Sequence, residues 1–501
     1  MELTDEQVLA AAAQGRLVYV ESVPGSGKTS VAVERYGYLR YQTGDSRGVL
    51  GLTFNRAAVC ELYQRVMLRW GKSCITLPHQ VMTFDQLYVE CLSYLVGCKR
   101  VMWPNGSVGS FDVRDSYIGC KGYGQILKGG SIFCATVDKN CHIASIRKTA
   151  YRKCNGFKCR SDHQAALKAG AVTHDDIRSI LLSVMECNKL EKEIKKWFVA
   201  NYRALVVDEA YDVNDLDLKI VHLAVEANLS VTIIGDKWQT LYEWRGAKPK
   251  ELERCLNSAE FECCPLSDSF RFQNSTMSKI ASDLRSSSSV ELSVVEASQV
   301  DVALACRWNQ LWSLSCDILP LSFGPLNCGI DALFDLILDT ATRSFLDVSS
   351  FRRDDAVARL GCGHDFSKEY QDEIVAPIFQ ALRLGGCDSS LLNSLHQVGQ
   401  RLGVDVQGER VGGKDFDEKL GRLRRLKARV GGRRRLIPGL TVFQAKGREW
   451  DRVGVFLTDK SISMLKTGLD SDKQPCREVY VAITRARKYC GMLLKVQGGC
   501  C

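Results

Sequence analysis

The stretch ESVPGSGKTS, residues 21–30, decides how the chain is read. It nearly satisfies the phosphate-loop pattern Gly-x-x-x-x-Gly-Lys-Ser/Thr, with Ser22 where the first glycine belongs. Before it, RLVYVES (16–22) is a β-branched and aromatic run of strand type. After it, SVAVERYGYLRYQ (30–42) spaces its apolar residues as a helix does. Strand, glycine-rich turn and helix form the order that phosphate binding needs. Gly25 and Gly27 let backbone N–H groups turn inward, and the helix N-terminus adds its dipole. Pro24, Ser26 and Ser30 complete the loop, Lys28 reaches the outer phosphates of a nucleotide, and the Thr29 hydroxyl holds Mg²⁺. A glycine-rich turn without a ligand is the bland alternative.

A phosphate loop needs a carboxylate-bearing strand nearby, and RALVVDEAYD (203–212) supplies one. Ala204–Val207 read as a buried strand ending in Asp208 and Glu209. Ligands sit at the carboxyl ends of parallel strands. Asp208 is therefore the expected Mg²⁺ ligand, and Glu209 the group that orients or deprotonates the attacking water. A third strand, VTIIGD (231–236), leads into KWQTLYEWRGA (237–247). There Gln239 is a candidate γ-phosphate sensor. Tyr242 and Trp244 alternate, either as a stacking platform for bases or as core aromatics.

Together these stretches resemble the UvrD/Rep/PcrA branch of superfamily 1 helicases. LTDEQ (3–7) is similar to the glutamine motif, which implies that Gln7 reads adenine. GLTFNRAAVCEL (51–62) resembles motif Ia and implies strand contacts by Phe54 and Asn55. VMTFDQL (81–87) resembles the next nucleic-acid motif, with Thr83 and Phe84. DEAYD (208–212) and GDKWQTLYEWRGA (235–247) are similar to the family's acidic motif and motif III, adding Arg245 to the strand contacts. LSDSFRF (266–272) resembles motif IV, which implies Phe270 on adenine and Arg271 near the γ-phosphate. TVFQAKGREWD (441–451) resembles motif V, with Glu449 at the ribose. EVYVAITRARK (478–488) resembles motif VI, with Arg485 as an arginine finger. In this family the first loop position is commonly Ala, so Ser22 is a mild departure. Val23 for glycine, Ser30 for arginine, Lys237 and Trp238 in motif III, and Phe443 for histidine depart further and bear on coupling.

The resemblance implies an α/β fold of two RecA-like parallel-sheet motor domains, each with an inserted, mainly helical subdomain. The expected bounds are 1–94 and 196–254 for domain 1A, with insertion 1B at 95–195. Domain 2A follows at 255–332 and 436–495, with insertion 2B at 333–435 and a flexible tail at 496–501. The loop-like stretches GSVGS (106–110), KGYGQILKGG (121–130) and ARVGGRRRLIPG (428–439) support such breaks loosely, and RSSSSVE (285–291) reads as a surface loop. The implied activity is an ATP- and Mg²⁺-dependent helicase moving on single strands, 3′-to-5′ and on DNA rather than RNA, with duplex ahead of the motor. An RNA helicase, possibly viral in source, and a helicase-like binding module with weak ATPase are the rivals. A GTP switch fits poorly, because Asp208-Glu209 replaces its Asp-x-x-Gly and NKLE (188–191) lacks a final Asp.

Composition agrees without deciding. The 501 residues allow two to four domains, and 45% hydrophobic with 25% charged residues is ordinary for a globular protein. The +9 formal charge suits a polyanion without demanding one. The N-terminus lacks the shape of a secretory signal and no apolar run reaches membrane-spanning length, so an intracellular protein with no membrane partner is expected. The 22 scattered cysteines then read as reduced thiols. Cys120, Cys134, Cys141, His142, Cys154, Cys159 and His163 form a candidate zinc cluster without knuckle spacing, scattered thiols being the alternative. Lys148, Arg152, Lys153, Lys158 and Arg160 there either track a phosphate backbone or form a solvated face. RLRRLKARVGGRRR (422–435) reads as a duplex grip, an import signal or an exposed basic helix. The terminal QGGCC is a lipidation candidate or an ordinary end.

Overall fold

The computed structural model describes residues 2–106, 111–362, 366–385, 387–406, 414–432 and 435–495, with backbone alone for 414–419. The readings on residues 107–110, on Arg433 and Arg434 and on the tail 496–501 lie outside the described residues. The chain forms two compact units, Met1–Ser269 and Phe270–Cys501.

The first unit opens with helix α1 (Asp5–Ala12), strand β1 (Leu17–Ser22), α2 (Lys28–Tyr41), β2 (Gly48–Thr53), α3 (Arg56–Trp70), β3 (Gln80–Thr83) and α4 (Phe84–Gly97). An insertion follows: β4 (Asp112–Arg114), β5 (Tyr123–Ile126), β6 (Ser131–Val137), β7 (Ile143–Thr149), β8 (Cys154–Phe157), α5 (Arg160–Lys168), β9 (Ala171–Thr173), α6 (His174–Met185) and α7 (Asn188–Asn201). The unit closes with β10 (Tyr202–Val207), β11 (Ser230–Gly235) and β12 (Glu262–Leu266). Its main sheet runs β12-β1-β11-β10-β2-β3, parallel throughout. Both faces are covered. Leu50, Leu52, Leu205, Val207, Val231 and Ile233 pack with Leu87 and Leu92 of α4. Their strand neighbours Val18, Val20, Val49 and Val206 pack with Val31 and Tyr36 of α2 and Leu62 of α3. This is why β2 and β10 read as continuous rather than alternating buried runs.

Two expectations are corrected here. The first unit extends past 254, because β12 pairs along β1 from Val18↔Glu262 to Ser22↔Leu266. The first insertion is not mainly helical. Its β6–β7 hairpin is paired from Ser131↔Thr149 to Val137↔Ile143, and β5–β8 and β4–β9 form two more ribbons. Cross-strand pairing among short, Gly-punctuated segments decides this, and neither helix nor strand periodicity announces it.

The second unit holds a five-stranded parallel sheet, β14-β15-β13-β16-β17, from β13 (Val302–Ala305), β14 (Ile318–Pro320), β15 (Ile437–Thr441), β16 (Trp450–Phe456) and β17 (Ala486–Leu493). Between β14 and β15 the described residues are helical, spanning Gly329–Leu346, Arg353–Arg359, Lys368–Arg383, Asp388–Arg401 and Lys414–Val430. Leu333, Ile337, Ile374, Ile378, Leu395, Leu423 and Leu426 form their core. The basic run within the last helix is not a free cationic face. Arg422 pairs with Asp331 at 2.9 Å and Arg424 with Asp388 at 2.6 Å. Arg429 is fully buried, its Nε donating to the Ile318 carbonyl at 2.7 Å. Among the described residues, no helix is long and apolar enough to cross a membrane.

Candidate functional site

The sheet order of the first unit collects the motif residues. The phosphate loop follows β1, Phe54 follows β2, Thr83 ends β3, Asp208 and Glu209 follow β10, and Asp236 follows β11. All these strands are parallel, so every one of these residues lies at the same carboxyl edge. Gly25 (φ 76°) and Gly27 (φ 80°) take the left-handed backbone that lets the loop curl into α2. A Cβ on Gly27 would lie 2.5 Å from Gln7 Nε2.

Ser22 is buried, and its hydroxyl donates to the Gly235 carbonyl at 2.9 Å. It ties the mouth of the loop to the end of β11, so the missing glycine is a structural tether. Gln7 is buried as well. Its Nε2 donates to the Ser26 carbonyl at 2.9 Å, and its Oε1 accepts from the Thr4 N–H at 3.1 Å in a capping box that starts α1. The residue expected to read adenine thus also braces the phosphate loop.

Lys28 Nζ lies 3.5 Å from Glu209 Oε1. Lys28 Nζ and Ser26 Oγ are both buried without a hydrogen-bond partner. Buried donors without partners cost free energy unless an acceptor arrives, and phosphate oxygens would satisfy both. Glu209 has a left-handed backbone (φ 56°), strained for a non-glycine residue by about 1–3 kcal/mol. Its N–H donates to Asp208 Oδ1 at 2.8 Å. Burial, with Glu209 beside it, pushes the Asp208 carboxyl up to about 6. A divalent cation beside the Asp208 carboxylate would reverse that penalty.

Gln239 is buried, and its Nε2 donates to Asp236 Oδ2 at 2.7 Å while Trp238 N–H donates to Oδ1. Asp236 was legible only as a strand end; it holds Trp238 and Gln239 in the turn that follows. Trp244 is 60% exposed, and the Arg245 guanidinium lies 4.8 Å from its ring centroid and 5.5 Å from that of Tyr242. The segment is a short 3₁₀ turn (Glu243–Arg245) rather than a strand, so this shared cation, not alternation, links the two rings.

Phe54 is half-buried, and its ring sits 5.1 Å from that of Phe84. Phe84 is corrected from a strand contact to a core residue, for it is 3% exposed and packs between Phe54 and Tyr88. Thr83 is likewise buried and caps α4 through the Gln86 N–H. Asn55 is exposed and caps α3, its Oδ1 accepting from Ala58 N–H at 2.8 Å. Arg35 was missed. It is fully buried in α2, donating to the Ala11 and Ala13 carbonyls and to Thr232 Oγ1. Its signal was present, an arginine at the i+4 position between buried Val31 and Leu39.

The second unit keeps its own motif residues close together. Arg271 Nε meets Glu449 Oε2 at 2.9 Å, and its Nη1 donates to the Thr484 carbonyl at 3.0 Å. Arg487 pairs with Asp451 at 2.5 Å. Phe270 is 58% exposed. Arg485 is buried, with Nε donating to the Val481 carbonyl at 3.2 Å.

The zinc expectation finds no support. No group of three or more His, Cys, Asp or Glu side chains converges to hold a metal among the described residues. His163 Nε2 instead faces Asp176 Oδ2 at 3.2 Å, in an aromatic nest with Tyr117 and Phe157. Burial would raise Asp176, but His163, Tyr117 and the Ala135 N–H hold its carboxyl below the usual range.

Residues 3–99 and 136–260 match the UvrD/REP helicase N-terminal domain. The chain is 36% identical over 249 residues to ATP-dependent DNA helicase Rep of Escherichia coli K12, covering 46% of this chain and 35% of that protein. It is 24% identical over 246 residues to Rep of Buchnera aphidicola subsp. Schizaphis graminum, covering 46% and 36%. It is 22% identical over 289 residues to DNA helicase II of Salmonella typhimurium LT2, covering 51% and 36%. The matched region thus spans about a third of each relative's length.

Proposed function

From a first unit that is UvrD/Rep-like, we propose that the chain is an ATP-dependent DNA helicase or translocase moving on single strands, 3′-to-5′. The observation that carries the proposal is the pair of buried donors without a hydrogen-bond acceptor, Lys28 Nζ and Ser26 Oγ, with Glu209 as the ion-pair partner of Lys28, at the carboxyl edge that also bears Asp208. A nucleoside triphosphate satisfies both donors. Mg²⁺, when bound, draws charge from the β- and γ-phosphates. Lys28 and the loop N–H groups hold the phosphates, Asp208 and Thr29 hold the cation, and Glu209 positions the attacking water. Gln239, steered by Asp236, reports the γ-phosphate to the Tyr242–Arg245 turn three residues on. Phe54, on its Phe84 support, and Trp244 stack on bases, each worth roughly 1–3 kcal/mol whatever the sequence.

Motif resemblance alone assigns Arg271 and Arg485 to the charge of the transferring phosphoryl group. It also assigns Phe270 and Gln7 to the adenine and Glu449 to the ribose. An arginine in that role is worth about 10³–10⁵ in rate. The same resemblance motivates the domain pattern 1A, 1B, 2A, 2B and the duplex ahead of the motor. The test is steady-state ATP hydrolysis with no polymer, with single-stranded DNA and with single-stranded RNA. Stimulation by DNA that Lys28→Ala abolishes is the expected result. Hydrolysis indifferent to both polymers, or unchanged in Lys28→Ala, overturns the proposal; stimulation by RNA alone transfers it to RNA.

A further inference from the structure

One of the chain's two basic concentrations lies in the first insertion. Residues 121–160 hold nine Lys and Arg and a single acid, Asp138, while the chain as a whole carries +9. Asp138 is engaged locally, its Oδ1 accepting from the Asn140 and His142 N–H groups. Among the described residues, none of the nine cations enters an ion pair. This contrasts with the basic helix of the second unit, where Arg422 and Arg424 are paired and Arg429 is buried.

The fold sharpens the concentration. The β6–β7 hairpin is anchored at its closed end, where Ala135 and Ile143 enter the core of the first unit and Met102 bridges His142. Its other end is ringed by exposed side chains. There the β5–β6 turn and the β7–β8 turn are locked together, Gly129 N–H donating to Ala150 O at 2.7 Å and Ala150 N–H to Gly130 O at 2.8 Å. Lys128, Arg147, Lys148, Arg152 and Lys153 are all exposed around this tip. Between them stand two apolar side chains in water, Tyr151 at 88% and Leu127 at 69% exposure.

Like charges crowded without acids cost free energy in the free protein, and a polyanion relieves that cost. An exposed aromatic among them selects for a polyanion with flat faces. Duplex hides its base faces, whereas a single strand offers both phosphates and bases. We propose that the tip formed by residues 127–130 and 147–153 is a second single-strand binding site. It would be separate from the strand contacts at the carboxyl edge of the main sheet, with the cations on phosphates and Tyr151 stacked on a base. The inference rests on the helicase reading for its ligand class, but on none of the motif residues.

The test is fluorescence anisotropy of the full chain with a labelled 20-nucleotide oligothymidylate and with a 20-base-pair duplex, across a salt series. The variants are Tyr151→Ala, Tyr151→Phe and the quadruple Arg147→Ala/Lys148→Ala/Arg152→Ala/Lys153→Ala. Each released phosphate contact lowers the slope of log K against log salt by roughly 0.7 on single strands, so the quadruple variant should lose roughly 2–3 from it. Tyr151→Ala should weaken binding roughly 5- to 150-fold and Tyr151→Phe should restore it. Hydrolysis without polymer should be unchanged in every variant. Wild-type binding with both slope and affinity retained in the variants overturns the inference and leaves the helicase reading standing. Losses confined to the duplex overturn it in favour of a duplex grip. No binding by the wild type to either oligonucleotide overturns both readings.

Discussion

Replacing Ser22 by glycine would complete the phosphate-loop pattern, and the structure predicts that this harms the protein. The Ser22 hydroxyl is buried and donates to the Gly235 carbonyl at 2.9 Å, joining the ends of two adjacent strands of the main sheet. Losing a buried neutral hydrogen bond costs about 1 kcal/mol. Glycine at the end of a strand adds about 0.5–1 kcal/mol of backbone entropy. Ser22→Gly should therefore destabilise the first unit by about 1.5–2 kcal/mol, a fall of roughly 3–8 °C in the midpoint of a unit this size. Thermal unfolding read by tryptophan fluorescence measures the shift, and ATP hydrolysis at 25 °C, below the transition, measures the site. The proposed catalytic groups Lys28, Asp208 and Glu209 are untouched, so the turnover number should stay within twofold of wild type. An unchanged midpoint, or a turnover number raised by the restored glycine, would refute the tether and make Ser22 a functional departure.

Phe84→Ala should destabilise the first unit by about 3–5 kcal/mol, as for other buried aromatics, because Phe84 is 3% exposed beneath Phe54. Phe54→Ala should weaken strand binding with a smaller loss of stability; chemical denaturation beside anisotropy separates the two. Trp244→Ala should weaken single-strand binding roughly 5- to 150-fold and spare nucleotide binding, and equal losses of both would sink its role. His79 supplies a pH prediction. Its Nδ1 accepts from the Val49 N–H at 3.0 Å, and burial, helped by Arg40 and Arg203, pulls the imidazole down to about 4. The folded value lies below the ordinary 6.5, so this stabilisation is complete above pH 6.5 and is lost as pH falls towards 4. Denaturation midpoints should drop across that window in the wild type and drop less in His79→Gln.

What could be read from the residues was the chemistry written locally. GSGKT and VVDEA each set a strand end, a turn and a functional side chain within a few positions, so their grouping needs only the parallel-sheet rule that carboxyl ends share an edge. The supports of those residues were illegible because their partners are far away in sequence. Ser22 is 213 residues from Gly235. Gln7 is 19 from Ser26, and its capping role was visible in LTDEQ while its hold on the loop was not. The paired strands of the first insertion escaped for a related reason. Its strands are three to seven residues long and only pairing fixes them, whereas the helices of the second insertion carry their own apolar stripes.

The aromatic residues show where motif reasoning stops. A motif names Phe54 and Phe84, or Tyr242 and Trp244, as equals, but each pair divides its labour by depth. Phe84 lies in the core and holds Phe54 half-exposed above it. Tyr242 is half-buried, and Arg245 lies over both its ring and the outer Trp244 ring. A stacking residue must offer a bare face and yet not collapse onto the surface, and a buried partner or a bridging guanidinium meets that need. Among the described residues no ring packs against Tyr151, but the two hydrogen bonds of neighbouring Ala150 to the Gly129–Gly130 turn fix the backbone beside it. Its exposure is thus fixed by the backbone on one side and by uncompensated charge around it. That combination is what a base followed by a phosphate would fill.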